Sequence, residues 1–238
     1  MKEVRRVKAN PKYLSFYYEN ITELPDIKIE RNKTALLVVD MQKHFLAKDG
    51  FDADLFREMG EWDRWEPYFD HVEKVTIPNN RRLIECCRKN GIEVTFGRIA
   101  ALKSNGADRC RVQSTVGWNN ILVPVNSEGA AMMDELAPLN DEIVVNKTTD
   151  SVSLGTNYSE LMRNMGIDTI IVTGVVTDQC VAGTVRVLAD HGFKVICVED
   201  CCAAPDMTLH EMELKIMNII YCNVISTNET IELIEKSE

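Results

Sequence analysis

Three side chains able to do covalent chemistry stand at the ends of apolar runs in this 238-residue sequence: Asp40, Lys147 and Cys180. Asp40 follows Thr34-Ala35-Leu36-Leu37-Val38-Val39, Lys147 follows Glu142–Asn146, and Cys180 lies just beyond Asp168–Thr173 and the turn Gly174-Val175-Val176-Thr177-Asp178-Gln179. A thiol can attack a carbonyl, a carboxylate can take its proton and return it to a leaving amine, and an ammonium lowers the thiol pKa. Cys180 falls in the first turn of a helix, where free N–H groups and the helix dipole favour a thiolate and could hold an oxyanion. Each residue alone has a plainer reading: a helix cap, a solvated charge, an inert core cysteine. Their coincidence at strand ends favours the functional one. The histidines offer no rival base, since none of His44, His71, His191 and His210 clearly follows a strand end. His191 closes a helix, where a cation suits the dipole. His44, one turn beyond Asp40, is a candidate substrate or supporting contact.

The elements that must position these residues alternate. Apolar runs at 34–40, 92–96, 142–146, 168–173, 194–198 and 223–226 read as strands, and their continuity suits strands buried on both faces. Helical patterns follow at 78–91, 156–165, 179–191, 208–218 and 227–236, with Pro78 in a first turn and Gly91, Gly166 and Gly192 at ends. A short helical pattern sits near 132–136. Strand–helix alternation predicts right-handed crossovers and a three-layer α/β/α fold around a mostly parallel six-stranded sheet. In such sheets ligands bind beyond the carboxyl ends of the strands, which brings Asp40, Lys147 and Cys180 to one crevice. Residues 1–33, with Tyr13, Phe16, Tyr17 and Tyr18 clustered, read as an arm; residues 34–238 form the domain. Residues 46–77 show no clear element and read as a functional loop or lid, as do 97–140 for the most part.

Composition sets the bounds. An apolar content of 45% with mixed charges is globular. At this length a chain buries roughly 70–75% of its unfolded surface, so disulfides are not needed. A net charge of −10 argues against nucleic acid as partner. The eight cysteines form no regular framework, Cys197 lies in an apolar run, and no apolar signal core occurs in MKEVRRVKANPKY. Reduced thiols and a cytoplasmic setting are expected. No zinc-type ligand spacing and no membrane-spanning run of about 18 apolar residues is present.

Three segments resemble the isochorismatase-like cysteine hydrolases, a family that includes nicotinamidases, N-carbamoylsarcosine amidases, ureidoacrylate hydrolases and biuret or triuret hydrolases. They are ALLVVDMQKHF at 35–45, KTTDSVSLGTNYSELMRNMGIDTIIVTGVVTDQCV at 147–181 and VEDCCAAPD at 198–206. The resemblance implies a Rossmann-type topology, Asp40 as general base and acid, Lys147 as the family's lysine and Cys180 as nucleophile. It also implies a cis peptide at Val175–Val176, which turns the Val176 N–H toward an oxyanion beside the Cys180 N–H. Family members commonly form homodimers or homotetramers.

Departures from the family pattern shape the substrate expectation. Nicotinamidases carry a metal triad after the second strand, where this chain reads GRIAALKSNGADRC without a histidine; no metal and no cofactor are expected. The family's Ser-Ala-Phe is Ser151-Val152-Ser153 here, which removes an aromatic wall and favours a small polar substrate. Gln42, His44, Arg98, Gln113, Trp118, Ser151 and Ser153 are the candidate substrate contacts, with Arg109 and Arg111 as further candidates for a carboxylate and Trp62 as a cover for the pocket. The expected reaction is cleavage of a C–N bond in a small linear ureide or carbamoyl compound, of the biuret, triuret, N-carbamoyl amino acid or ureidoacrylate type, through a thioester that releases ammonia or an amine. The alternatives are a vinyl-ether hydrolase of the isochorismatase type, which does not need Cys180, and a non-catalytic binding member.

Overall fold

The computed structural model of the chain describes residues 6–8, 10–21, 23–25, 28–117 and 119–237. In chain order the elements are β1 (Arg6–Lys8), β2 (Glu23–Pro25), β3 (Thr34–Val39), α1 (Lys43–Leu46), α2 (Phe51–Glu58), α3 (Trp62–His71), α4 (Ile77–Lys89) and β4 (Glu93–Ile99). Two short paired strands follow, β5 (Ser114–Thr115) and β6 (Asn119–Asn120). The remainder is β7 (Ile143–Lys147), α5 (Tyr158–Asn164), β8 (Thr169–Val175), α6 (Ala182–Asp190), β9 (Lys194–Ala203), α7 (Met207–Met217), β10 (Asn223–Ile225) and α8 (Thr227–Glu235).

Six strands form one sheet in the order β10-β9-β8-β3-β4-β7, and every pairing is parallel. Counted among themselves in chain order, they run third-second-first-fourth-fifth-sixth from the β7 edge, the doubly wound order whose switch point lies between the first strand and the fourth, here β3 and β8. The six strands expected from the sequence are these six. Alternate residues of each strand enter different cores: Leu37, Val39, Val172 and Val195 pack with Tyr158, Met162, Val185, Leu188 and Leu214 of α5, α6 and α7. Leu36, Val38, Ile171 and Ile196 pack with Leu83, Ile84 and Cys87 of α4 and Ile234 of α8. Burial on both faces is why the runs are continuously apolar.

Three expectations need correction. Residues 46–77 are not irregular: α2 and α3 fill most of the segment, and a π-type turn at Val72–Thr76 joins α3 directly to α4. Pro78 therefore sits near the start of α4 within a longer helical path rather than opening a helix from a loop. The fifth strand, β9, extends five residues past 198 to Ala203, with a register shift against β8: Val172 faces Cys197 but Gly174 faces Cys202. The acidic pair Glu199-Asp200 lies in that irregular stretch and hides the continuation from a hydrophobic pattern.

In the N-terminal segment, Tyr13 is buried and its hydroxyl donates to Glu199, while Asn218 Nδ2 donates to the Tyr13 carbonyl at 3.1 Å. Phe16 and Tyr17 are exposed.

Gly174 closes the approach of β8 to β3. Its φ is +115°, and a Cβ there would lie 2.0 Å from the Val39 carbonyl oxygen. Backbone has no way to yield at that distance. Gly174→Ala is expected to cost about 3 kcal/mol or more, strain and overpacking combined, read as a lowered urea midpoint.

Candidate active site

Asp40 is the first residue after β3 and takes a left-handed backbone, φ 52°. Hydrogen bonds hold that turn: Asp40 N–H donates to the Gly97 carbonyl at 2.8 Å, Gln42 N–H to the Asp40 carbonyl at 2.7 Å, and Ile99 N–H to Asp40 Oδ1 at 3.0 Å. One carboxylate oxygen is thereby anchored to β4 and the other, Oδ2, faces Lys147. Lys147, the last residue of β7, is fully buried, and its Nζ lies 2.8 Å from Asp40 Oδ2, 3.4 Å from Cys180 Sγ and 3.1 Å from the Thr149 carbonyl. The contact with Oδ2 is ionic: among the described residues no donor reaches Oδ2 in hydrogen-bond geometry.

Cys180 lies in a π-type turn, Thr177–Val181, that runs directly into α6. The helical path thus begins two residues before the expected 179. The Val175–Val176 peptide is cis. Thr177 Oγ1 and His210 Nδ1 are 2.8 Å apart, which ties the start of the Cys180 turn to α7. The three expected residues, far apart in sequence, therefore converge at the carboxyl ends of β3, β7 and β8.

Burial governs their protonation. Desolvation raises the Asp40 carboxyl above its ordinary value, with the Lys147 ammonium opposing. Burial alone would lower Lys147, but the Asp40 carboxylate and Cys180 hold it above its ordinary value. The Cys180 thiol is pushed well up by burial, which outweighs Lys147. This corrects the expectation of a depressed thiol pKa: the helix start and the ammonium are present, but the site is too dry for them to win.

A cavity of about 400 Å³ opens in front of Asp40 and Cys180, with Val175, Val176 and Gln179 on the same wall. Helices α2 and α3 contribute another part of the lining through Phe51, Asp52, Leu55, Phe56, Trp65 and Tyr68. Asn119, Asn120 and Asp150 complete the rim. His44 lines the cavity, stacked on Phe51 with ring centroids 4.7 Å apart. Burial holds His44 down at about 4, so it is neutral at pH 7.

Among the described residues, the other expected contacts do not line this cavity. Gln42 clamps the backbone instead, accepting from Ile99 N–H at 2.8 Å and donating to the Ile99 carbonyl at 2.9 Å. Arg98 is turned to Asn146 Oδ1 at 2.8 Å and the Ala130 carbonyl at 2.9 Å. Arg109 is occupied by the carbonyls of Gly106, Gln113 and Ile121 and by Asn120 Oδ1. Arg111 is exposed on the surface. Gln113 is buried behind the cavity wall, its Nε2 3.4 Å from Asp150 Oδ1. Ser151 and Ser153 are buried off the cavity; the Ser153 hydroxyl accepts from Ser159. Trp118 lies outside the described residues, and Trp62 packs on Phe69 under Arg57. Sequence reasoning missed Phe51, Asp52, Phe56, Trp65 and Tyr68. A signal existed, because Trp62, Trp65 and Phe69 recur at helical spacing. Pro67 and Gly60 obscured it by reading as breakers. Among the described residues no group of three or more His, Cys, Asp or Glu side chains is placed to hold a metal ion.

Fold and site together define a doubly wound α/β protein with a buried thiol, carboxylate and ammonium at its switch point. The chain belongs to the isochorismatase family: the model of the isochorismatase domain matches residues 34–229, and the protein is a hydrolase. It is 31% identical over 123 residues to an N-carbamoylsarcosine amidase of an Arthrobacter species, covering 50% of this chain and 46% of that protein. It is 25% identical over 180 residues to the ureidoacrylate amidohydrolase RutB of Agrobacterium fabrum, covering 67% of this chain and 71% of that protein. The crystal structure of a cysteine hydrolase from Pseudomonas syringae pv. phaseolicola superimposes with a TM-score of 0.75 over 90% of this chain and 97% of that one, at 23% identity.

Removing one member of a buried ion pair strands the other. Lys147→Ala is expected to cost about 3–5 kcal/mol, and Asp40→Asn combined with Lys147→Met is expected to recover part of that loss in denaturant titrations. His210 gives a separate pH signature. Burial lowers it from 6.5 to about 4, so between those values the unfolded chain binds a proton that the folded chain does not. Its contribution to stability is complete above 6.5 and declines as pH falls toward 4. The stability difference between the native protein and His210→Gln is expected to shrink over that window; a difference that stays constant with pH refutes the assignment.

Proposed function

We propose that this protein is a cysteine amidohydrolase that cleaves a C–N bond in a small ureide or carbamoyl compound, with Cys180 as nucleophile, Asp40 as general base and acid, and Lys147 as the cation that holds them together. The observation that carries this reading is Lys147 Nζ in contact with both Asp40 Oδ2 and Cys180 Sγ at the base of the cavity. The names of the two amidohydrolase relatives point to the same bond type. The cavity volume suits a ligand of modest size.

The chemistry follows from the geometry. Asp40 takes the thiol proton as Sγ bonds to the substrate carbonyl carbon. The backbone N–H groups of Val176 and Cys180 receive the oxyanion. Collapse breaks the C–N bond, and Asp40 delivers its proton to the departing ammonia or amine. Water then attacks the thioester, giving one proton to Asp40. The carbon–sulfur bond breaks, the acid or carbamic acid leaves, and the proton returns to Cys180. A raised thiol pKa is compatible with this course, because proton transfer to Asp40 accompanies the attack instead of preceding it. Lys147 remains charged throughout and stabilises whichever of its two neighbours is anionic.

Eight free cysteines fit a reducing, cytoplasmic setting. Among the described residues no helix is long and apolar enough to cross a membrane.

An ammonia-release screen over small amides and ureides identifies the substrate. With it in hand, Cys180→Ala and Asp40→Asn are each expected to lower kcat by more than about 1,000-fold while the fold, read by circular dichroism, is kept. An alanine variant that retains full turnover overturns the mechanism.

A further inference from the structure

Among the described residues, the charged ones that line the cavity are Asp40, Asp52 and Asp150, with neither arginine nor lysine beside them. Asp40 is ion-paired with Lys147 and anchored by the Ile99 N–H. Asp52, about a quarter of it exposed (27%), has no lysine or arginine within 4 Å among the described residues. It stands in the first turn of α2 and lines the same cavity as Cys180. Within 4 Å among the described residues its one ion-pair partner is His44 Nε2, at 3.5 Å. That histidine is neutral at pH 7, because burial holds it at about 4. Burial pushes Asp52 itself up to about 7, as fits a carboxyl lacking a cation. The surrounding surface is aromatic: Phe51, Phe56, Trp65 and Tyr68 line the same wall, with Phe56 stacked on Trp65 at 3.8 Å between centroids. A carboxylate among aromatic faces is the standard environment for binding a positively charged nitrogen. The arginines that could have received a carboxylate, Arg98 and Arg109, are committed to the protein's own acceptors.

Resting on the amidohydrolase reading, we propose that Asp52 recognises a positively charged nitrogen at the substrate end remote from the scissile carbonyl, so that amino- or guanidino-bearing ureides are substrates and carboxylated ones are not. The cation pairs with Asp52, lies against Phe51, Phe56 and Trp65, and leaves the carbonyl to face Cys180. A carboxylated substrate would instead bring its charge beside Asp52 and Asp150 in a partly desolvated space, which is repulsive.

The test compares three ureides of matched length: aminobutylurea, pentylurea and ureidobutanoate. Hydrolysis by the native protein is read as ammonia release, and binding to the Cys180→Ala protein is read by calorimetry. Aminobutylurea is expected to bind and to turn over with kcat/KM about 10-fold or more above pentylurea, with ureidobutanoate lowest. In Asp52→Asn the aminobutylurea-to-pentylurea ratio is expected to fall about 10-fold, and Asp52→Glu is expected to restore part of it; thermal melts check that both variants fold. Amine-selective binding that depends on Asp52, without turnover, sustains the recognition and overturns the amidohydrolase reading. Turnover with a preference for ureidobutanoate, an unchanged ratio in Asp52→Asn, or no binding of aminobutylurea overturns the recognition.

Discussion

The ion pair between Asp40 and Lys147, with Cys180 against the same ammonium, is the constraint around which this molecule is arranged. Two charges taken fully out of water each cost several kcal/mol, and their attraction compensates only when geometry is close and the remaining polar atoms are served. The fold supplies those conditions. Ile99 N–H anchors Asp40 Oδ1, and the Thr149 carbonyl takes another of the ammonium's protons. Strands β3 and β7 are both neighbours of β4 and so stand about 9–10 Å apart. Only a long flexible stem crosses that distance, which is a physical reason for lysine at the end of β7.

The same requirement explains local departures from regular structure. Asp40 leaves β3 in a left-handed conformation, so its carboxyl turns back over the strand ends while its N–H still reaches Gly97. Gly174 lets β8 lie against β3 where any side chain would collide with Val39. Cys180 is presented by a π-type turn rather than a plain α-helical start, and His210 secures that turn through Thr177. These irregularities gather at one end of the sheet, where strands stop serving the core and begin serving the site.

What could be read in the sequence divides along the same line. The six strands were legible because burial on both faces makes each a continuous apolar run, and the reactive residues were legible because they terminate those runs. The bounds of β9 were not, since Glu199 and Asp200 interrupt its pattern. Helices α2 and α3 were missed because Gly60 and Pro67 punctuate them and because they cover a cavity, so neither face is uniformly apolar. The thiol pKa was misjudged because a sequence shows a helix start and a lysine but not the amount of water removed. The arginines misled for a related reason: Arg98 and Arg109 are spent on backbone carbonyls, and loop backbone that needs donors leaves no pattern in the sequence.

The two walls of the cavity therefore differ in what they can change. On the strand-end wall, Asp40, Lys147 and Cys180 balance one another, so the loss of any one strands another buried group. On the helical wall, Asp52, Phe51, Phe56 and Trp65 contribute charge and surface without entering that balance. Lys147 cannot answer for Asp52, because its charge is already divided between Asp40 and Cys180. The cavity's other carboxyls, Asp52 and Asp150, stand on the helical wall and rim, and among the described residues no lysine or arginine lines the cavity beside them. Substitutions in α2 and α3 can alter which molecule is admitted while leaving the bond-breaking groups in place, whereas substitutions at the strand ends disturb chemistry and stability together.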